Sequence, residues 1–171
     1  MKKLGKMGIM TSIAAILLVA AFAFSACGGG YPIPNWVNDV SGTPAEIVQL
    51  LKDNGYADAA LNDDEDEIRG TKIVDGKNYK VSISIFADKD KAAMNFFMGR
   101  AMVQGLLDYA NWTELDDEDM EVFKSLNFSL GSDNITASGK VDGKEVGMFA
   151  KLSGKYLITE QYGEFDLESI M

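Results

Sequence analysis

Residues 68–86 read Ile68-Arg69-Gly70-Thr71-Lys72-Ile73-Val74-Asp75-Gly76-Lys77-Asn78-Tyr79-Lys80-Val81-Ser82-Ile83-Ser84-Ile85-Phe86, and the fold class follows from them. Asp75-Gly76 is a two-residue turn signal, because Gly accepts the positive φ that tight hairpins demand. After it, Tyr79, Val81, Ile83 and Ile85 alternate with Lys80, Ser82 and Ser84. A period of two places the first set on a buried face and the second on a polar one. The stretch is therefore an antiparallel hairpin, with strands at 68–74 and 79–86.

The same chemistry recurs downstream. Segments 135–141 and 145–152 flank Asp142-Gly143, and Ser153-Gly154 turns into 155–161. That adds a three-stranded meander and brings the sheet to about five strands. Val74-Asp75-Gly76-Lys77 and Val141-Asp142-Gly143-Lys144 match residue for residue, which suggests two similar halves. Asp-Gly-Lys is also ordinary turn chemistry, and without a longer shared period the sequence favours coincidence.

Two helices accompany the strands. Thr43-Pro44-Ala45-Glu46 fits a capping box with Pro at the first helical position; Ile47, Val48, Leu50 and Leu51 make one face, and Asn54-Gly55 stops it. The first helix is thus expected at 44–54. The second starts from the Asp88 cap. Ala92, Ala93, Phe96, Phe97, Ala101, Val103, Leu106 and Leu107 recur at helical spacing to about residue 109, with Met94, Met98 and Met102 on the same pattern. Gly99 and Gly105 weaken this helix. An acidic stretch at 114–121 follows, with a short helix expected up to Leu126. The whole reads as α+β: an antiparallel sheet with two helices packed on one face, its other face polar or grooved.

The first 26 residues carry a different message. Lys2, Lys3 and Lys6 are followed by an apolar run through Ile13, Ile16, Leu17, Leu18, Val19 and Phe22, which ends in Ser25-Ala26. A basic start, an apolar middle and a small-residue end make a secretory signal. Phe24-Ser25-Ala26-Cys27 resembles the lipobox of bacterial lipoproteins, departing from it at Phe24, where the family usually has Leu. The resemblance covers only these residues. It implies diacylglycerol on the Cys27 sulfur, cleavage just before it, and attachment to the outer side of a cell membrane or to an outer membrane. An uncleaved membrane helix and a secreted protein with a free thiol are the alternatives. The expected organisation is a signal peptide at 1–26, a lipidated Cys27 with a Gly/Pro tether to residue 42, and one domain over 43–171.

Composition narrows the chemistry. The chain has 26 acidic and 16 basic residues and a formal charge of −10; losing three signal lysines makes the remainder more acidic still. No basic stripe is present to bind nucleic acid. There is no histidine, and the one cysteine is assigned to lipid. Ser-His-Asp, Cys-His and histidine- or thiolate-zinc chemistry are thereby excluded, and no phosphate-binding glycine loop exists. No catalytic residue, cofactor or metal site is expected. Asn62-Asp63-Asp64-Glu65-Asp66-Glu67 lacks the Gly and terminal Glu of an EF-hand, as does Asp116-Asp117-Glu118-Asp119. Both read as solvated loops. Trp36, beside Tyr31 in the tether, and Trp112, after the second helix, are the contact candidates. These features favour a non-catalytic module that binds an envelope protein, peptide or polymer. A carboxylate-dependent hydrolase and an inhibitor or chaperone of another exported protein are the rivals.

Overall fold

The computed structural model describes residues 31–112 and 125–163, the last four of the first span as backbone only. A 3₁₀ turn, Asn35–Asp39, leads into helix α1, Pro44–Asp53. The strands are β1 Ala60–Leu61, β2 Glu67–Val74 and β3 Lys77–Ile85, then β4 Leu126–Leu130, β5 Asn134–Val141, β6 Lys144–Ser153 and β7 Tyr156–Tyr162. Helix α2, Lys89–Trp112, lies between β3 and β4 in the chain.

The α+β class holds, but among the described residues the sheet has seven strands rather than five, in the order β1-β2-β3-β7-β6-β5-β4. Both additional strands precede a hairpin. β1 is only two residues long, too short for a pattern. β4 does alternate, with Leu126, Phe128 and Leu130 on one face, and it begins at the residue where the expected short helix was to end.

The two helices cover opposite faces, not one. Phe149 joins the core under α1, with Ile47, Leu51, Ile68, Val81, Ile83 and Ile158. Its neighbours Met148 and Ala150 point the other way, into the clusters that hold Val103 and Phe96 of α2. Adjacent strand residues face opposite sides, so β6 is sandwiched between the two layers.

Local signals explain the helix bounds. The Thr43 amide donates to Glu46 Oε2 (2.7 Å), and the Glu46 amide returns a bond to Thr43 Oγ1 (3.4 Å), completing the capping box. At α2, the Lys91 amide donates to Asp88 Oδ1 (2.8 Å). The outer face of α2 departs from expectation: Met94, Phe97 and Met98 are more than half exposed, while Ala92, Phe96 and Val103 point inward. The apolar residues encircle the helix, so only part of them can reach the sheet.

Packing begins earlier than the first long helix. Tyr31, Trp36, Val37 and Val40 are all buried in the α1 core, so a segment read as tether is wedged into the domain.

The repeated tetrapeptide gains structural meaning. Asp75 and Asp142 have φ of 51° and 50°, and Gly76 and Gly143 have 76° and 77°. At the far end of each hairpin the same bond recurs: Ile85 amide to Asp66 carbonyl (2.7 Å), and Leu152 amide to Asp133 carbonyl (2.8 Å). A half-turn about β7 carries β1-β2-β3 onto β6's side of the sheet as β4-β5-β6 and exchanges the faces. That operation also explains why α1 and α2 lie on opposite sides. The two halves therefore share an arrangement of flanking strand, hairpin and turn geometry.

Candidate functional site

The site is built across β2, β3, β7 and β6. Lys72 pairs with Tyr79, Tyr79 with Tyr162, and Tyr162 with Gly147, forming one cross-strand row. The next row runs Gly70, Val81, Glu160, Phe149. Strand alternation puts Glu160 on the same face as Ile158 and Tyr162, the face covered by α1. The glycines make room. A Cβ on Gly147 would fall 1.5 Å from the Tyr162 ring, and one on Gly70 would lie 3.1 Å from Tyr56.

Tyr31 closes the site from the N-terminal side. Its ring lies 5.6 Å from Tyr162 and 5.7 Å from Phe149, and its hydroxyl donates to Glu160 Oε1. Glu160 is 1% exposed. Lys72 Nζ lies 3.7 Å from Oε2, close enough for an ion pair but not for a hydrogen bond, and Oε2 has no hydrogen-bond partner. Burial penalises the carboxylate and pushes its pKa up to about 7, against a downward pull from the Tyr31 hydroxyl. Burial likewise raises the Tyr31 phenol and lowers the Lys72 ammonium.

Lysines cap the rings. Lys72 Nζ sits 4.1 Å from the centre of Tyr56 and 5.4 Å from that of Tyr79, and Lys77 Nζ 4.6 Å from that of Tyr162. These are cation–π distances. Lys77 is also paired with Glu145 at 2.8 Å, which raises the lysine and lowers the carboxylate. Above Glu160 opens a cleft of about 680 Å³, walled by Tyr31, Pro32, Ile33, Pro34, Tyr79 and Tyr162. Its size lies within the range of small-molecule sites. Comparison with protein-family models, curated proteins and solved structures finds no match for this chain.

A second groove, of about 470 Å³, lies on the opposite face over β1, β2, β3 and β7. Several of its polar groups already satisfy one another: Arg69 pairs with Glu67 at 2.5 Å, Ser82 donates to Glu67, and the Thr71 hydroxyl donates to Asp58 at 2.6 Å. It offers less to a ligand than the tyrosine-walled cleft.

The residues singled out from sequence fare differently. Trp36 is 6% exposed and meets Tyr56 edge-on at 5.8 Å, so it is a core residue and no surface contact. Trp112 ends α2, but its side chain lies outside the described residues, as do Cys27 and the acidic run at 116–119. In the Asn62–Glu67 loop, Asn62 Oδ1 accepts from the amides of Asp66 and Glu67 (3.1 and 3.0 Å), so the loop is tied by its own side chain. Among the described residues, no group of acidic side chains is arranged to hold a metal ion. Glu160 escaped sequence reasoning, yet Tyr156, Ile158, Glu160 and Tyr162 occupy every second position, and an acid within an apolar alternation is the signal.

Proposed function

We propose that this chain is a lipoprotein held on the outer side of a membrane through Cys27, and that its domain is a non-catalytic binding module using the Glu160 cleft. The observation that carries the binding reading is Glu160 Oε2, a fully buried acceptor without a hydrogen bond at the floor of an aromatic-walled cleft. Burying a polar atom without a hydrogen bond costs about 1–3 kcal/mol, and a ligand donor at this position recovers part of that cost. The three-part signal and the lipobox-like Phe24-Ser25-Ala26-Cys27 support the anchor. Two acyl chains suffice for stable attachment where one is marginal. Hydrolysis fits less well: glycoside chemistry uses two carboxylates roughly 5–10 Å apart, and Glu160 is the one carboxylate among the described residues that line the cleft.

Two measurements test the proposal. Intact mass of the protein extracted from membranes should begin at a diacylated Cys27; a chain that keeps Lys2 and Lys3 defeats the anchor. The full lipidated protein should show thermal shifts with at least one envelope polymer or peptide, lost in Glu160→Gln. Absence of any such ligand across the panel defeats the binding module.

A further inference from the structure

We infer that the Glu160 cleft recognises a neutral saccharide, with a sugar hydroxyl donating to Glu160 Oε2; this rests on the binding role proposed above. Three observations lead there. The first is the acceptor itself. One oxygen of the Glu160 carboxylate takes a hydroxyl, that of Tyr31. The other has no hydrogen-bond partner, although the residue is almost wholly buried. Oε2 is recessed, so only a donor as small as a hydroxyl can serve it, and the side chains over it, Lys72 among them, must give way to admit one.

The second is charge. Lys72 Nζ stands 3.7 Å from the same oxygen, so a cationic ligand meets a positive charge at the moment it reaches the acceptor. An anionic ligand meets a buried carboxylate. Lys77 is already neutralised by Glu145 at 2.8 Å. What the floor accepts without electrostatic opposition is a neutral donor.

The third is the wall. Tyr79 and Tyr162 stand 5.2 Å apart, centre to centre, and tilted by 36°, and Pro32 and Pro34 also line the cleft. These are stiff, apolar surfaces that lose little freedom on binding. Tyr31 and Lys77 already lie against Tyr162, and Lys72 against Tyr79, so a sugar ring meets the remaining surface of these rings with its C–H groups and turns its hydroxyls to the rim. An extended peptide, by contrast, gains most by pairing along a strand edge, and this cleft opens on a sheet face.

The test is calorimetric titration of the full lipidated protein in detergent with defined probes, at pH 8, where the Glu160 carboxyl is ionised. Glucose, xylose, mannose and N-acetylglucosamine are titrated as monomers and as linear hexamers. Spermidine, hexagalacturonate and a proline-rich peptide are the charged and peptide arms. The inference expects at least one neutral saccharide to bind, with at least about ten-fold weaker binding in Glu160→Gln, since a charge-assisted bond becomes a neutral one. Tyr79→Ala weakens it as well, and Arg69→Ala on the opposite face leaves it unchanged. Affinity that rises from monomer to hexamer marks a polymer as the source, and equal affinity marks a free sugar. If no neutral saccharide binds, or binding ignores Glu160→Gln in a protein whose melting shows it folded, the inference is overturned. Binding of the peptide or of a charged probe alone, lost in Glu160→Gln, overturns the saccharide while leaving a binding module in place.

Discussion

Among single residues, the decisive pair is a carboxylate that the sheet buries and a tyrosine that reaches it from outside the sheet. Glu160 has a folded pKa of about 7 against an ordinary 4.5. Below pH 4.5 both folded and unfolded chains hold the proton. Between about pH 4.5 and 7 the unfolded chain releases it and the folded chain keeps it, so stability falls as pH rises through that window. The full penalty is about 3 kcal/mol, because each tenfold change in proton affinity is worth about 1.4 kcal/mol. Glu160→Gln should therefore match the wild type near pH 4 and exceed it in stability at pH 8, as read by urea unfolding at both values. Exposed Glu46 and Glu145, whose pKa values are lowered by bonds from Thr43 and Lys77, act in the opposite sense at acid pH. They do so equally in both proteins and cancel from the difference. A gap of equal size at pH 4 and pH 8 contradicts the assignment. Tyr31→Phe removes only the hydroxyl, leaves a second oxygen of Glu160 without its bond, and should cost about 1–3 kcal/mol. Because that hydroxyl favours the ionised carboxylate, the cost should be larger at pH 8 than at pH 5.

Among the helices and strands, it is the turns between them that carry the architecture. Gly76 and Gly143 have φ of 76° and 77°, and a Cβ at either would meet nothing within 4 Å. Alanine there adds left-handed strain without a clash, about 1–2 kcal/mol. If the hairpins are equivalent units, Gly76→Ala and Gly143→Ala should destabilise by the same amount within a few tenths of a kcal/mol, by thermal or urea unfolding. Gly147→Ala is a different case: it drives a methyl into the Tyr162 ring, and overpacking of this kind costs about 1–3 kcal/mol. These turns were also what the sequence disclosed best. Asp-Gly at two positions, the Ser153-Gly154 turn, the Thr43 capping box and the Asp88 cap are short-range chemistry, complete within a few residues, and they located both helices and five strands. What was not legible depends on distant partners. β1 exists because Ala60 and Leu61 lie beside Arg69 and Ile68, not because two residues have a pattern. Which face a helix covers is set by how the halves assemble, and neither α1 nor α2 encodes it alone. Tyr31 and Trp36 looked free because they neighbour prolines and a glycine run. Their burial comes from Phe149, Tyr162 and Tyr56, far along the chain.

In the molecule taken whole, the repeat and the site are complementary. Aligning the two Asp-Gly turns matches Lys72 with Gly139 and Tyr79 with Val146, so among the described residues the second half holds no copy of the cleft. The parts that complete it, Glu160 and Tyr162 on β7 and Tyr31 before the first helix, lie outside the repeated unit. The cleft thus lies where a lone central strand meets the N-terminal segment. That placement has a consequence for the proposed anchor. Three residues, Gly28-Gly29-Gly30, separate Cys27 from Tyr31, and a chain extends at most about 3.6 Å per residue. Since Tyr31 is fixed in the core, the cleft wall at Tyr31 and Pro32 stands within roughly 15 Å of the acylated sulfur. With that anchor, the domain would be held against the bilayer surface, not hung from it on a long leash. Energy transfer from Trp36 to a fluorescent lipid headgroup measures this directly, in vesicles containing the lipidated protein with Trp112→Phe to leave one donor. Transfer should be strong, and a ten-residue Gly-Ser insertion after Gly30 should reduce it sharply while leaving the acyl mass and the melting temperature unchanged. Equal transfer with and without the insertion would mean that the position of the domain is not set by the join between Cys27 and Tyr31.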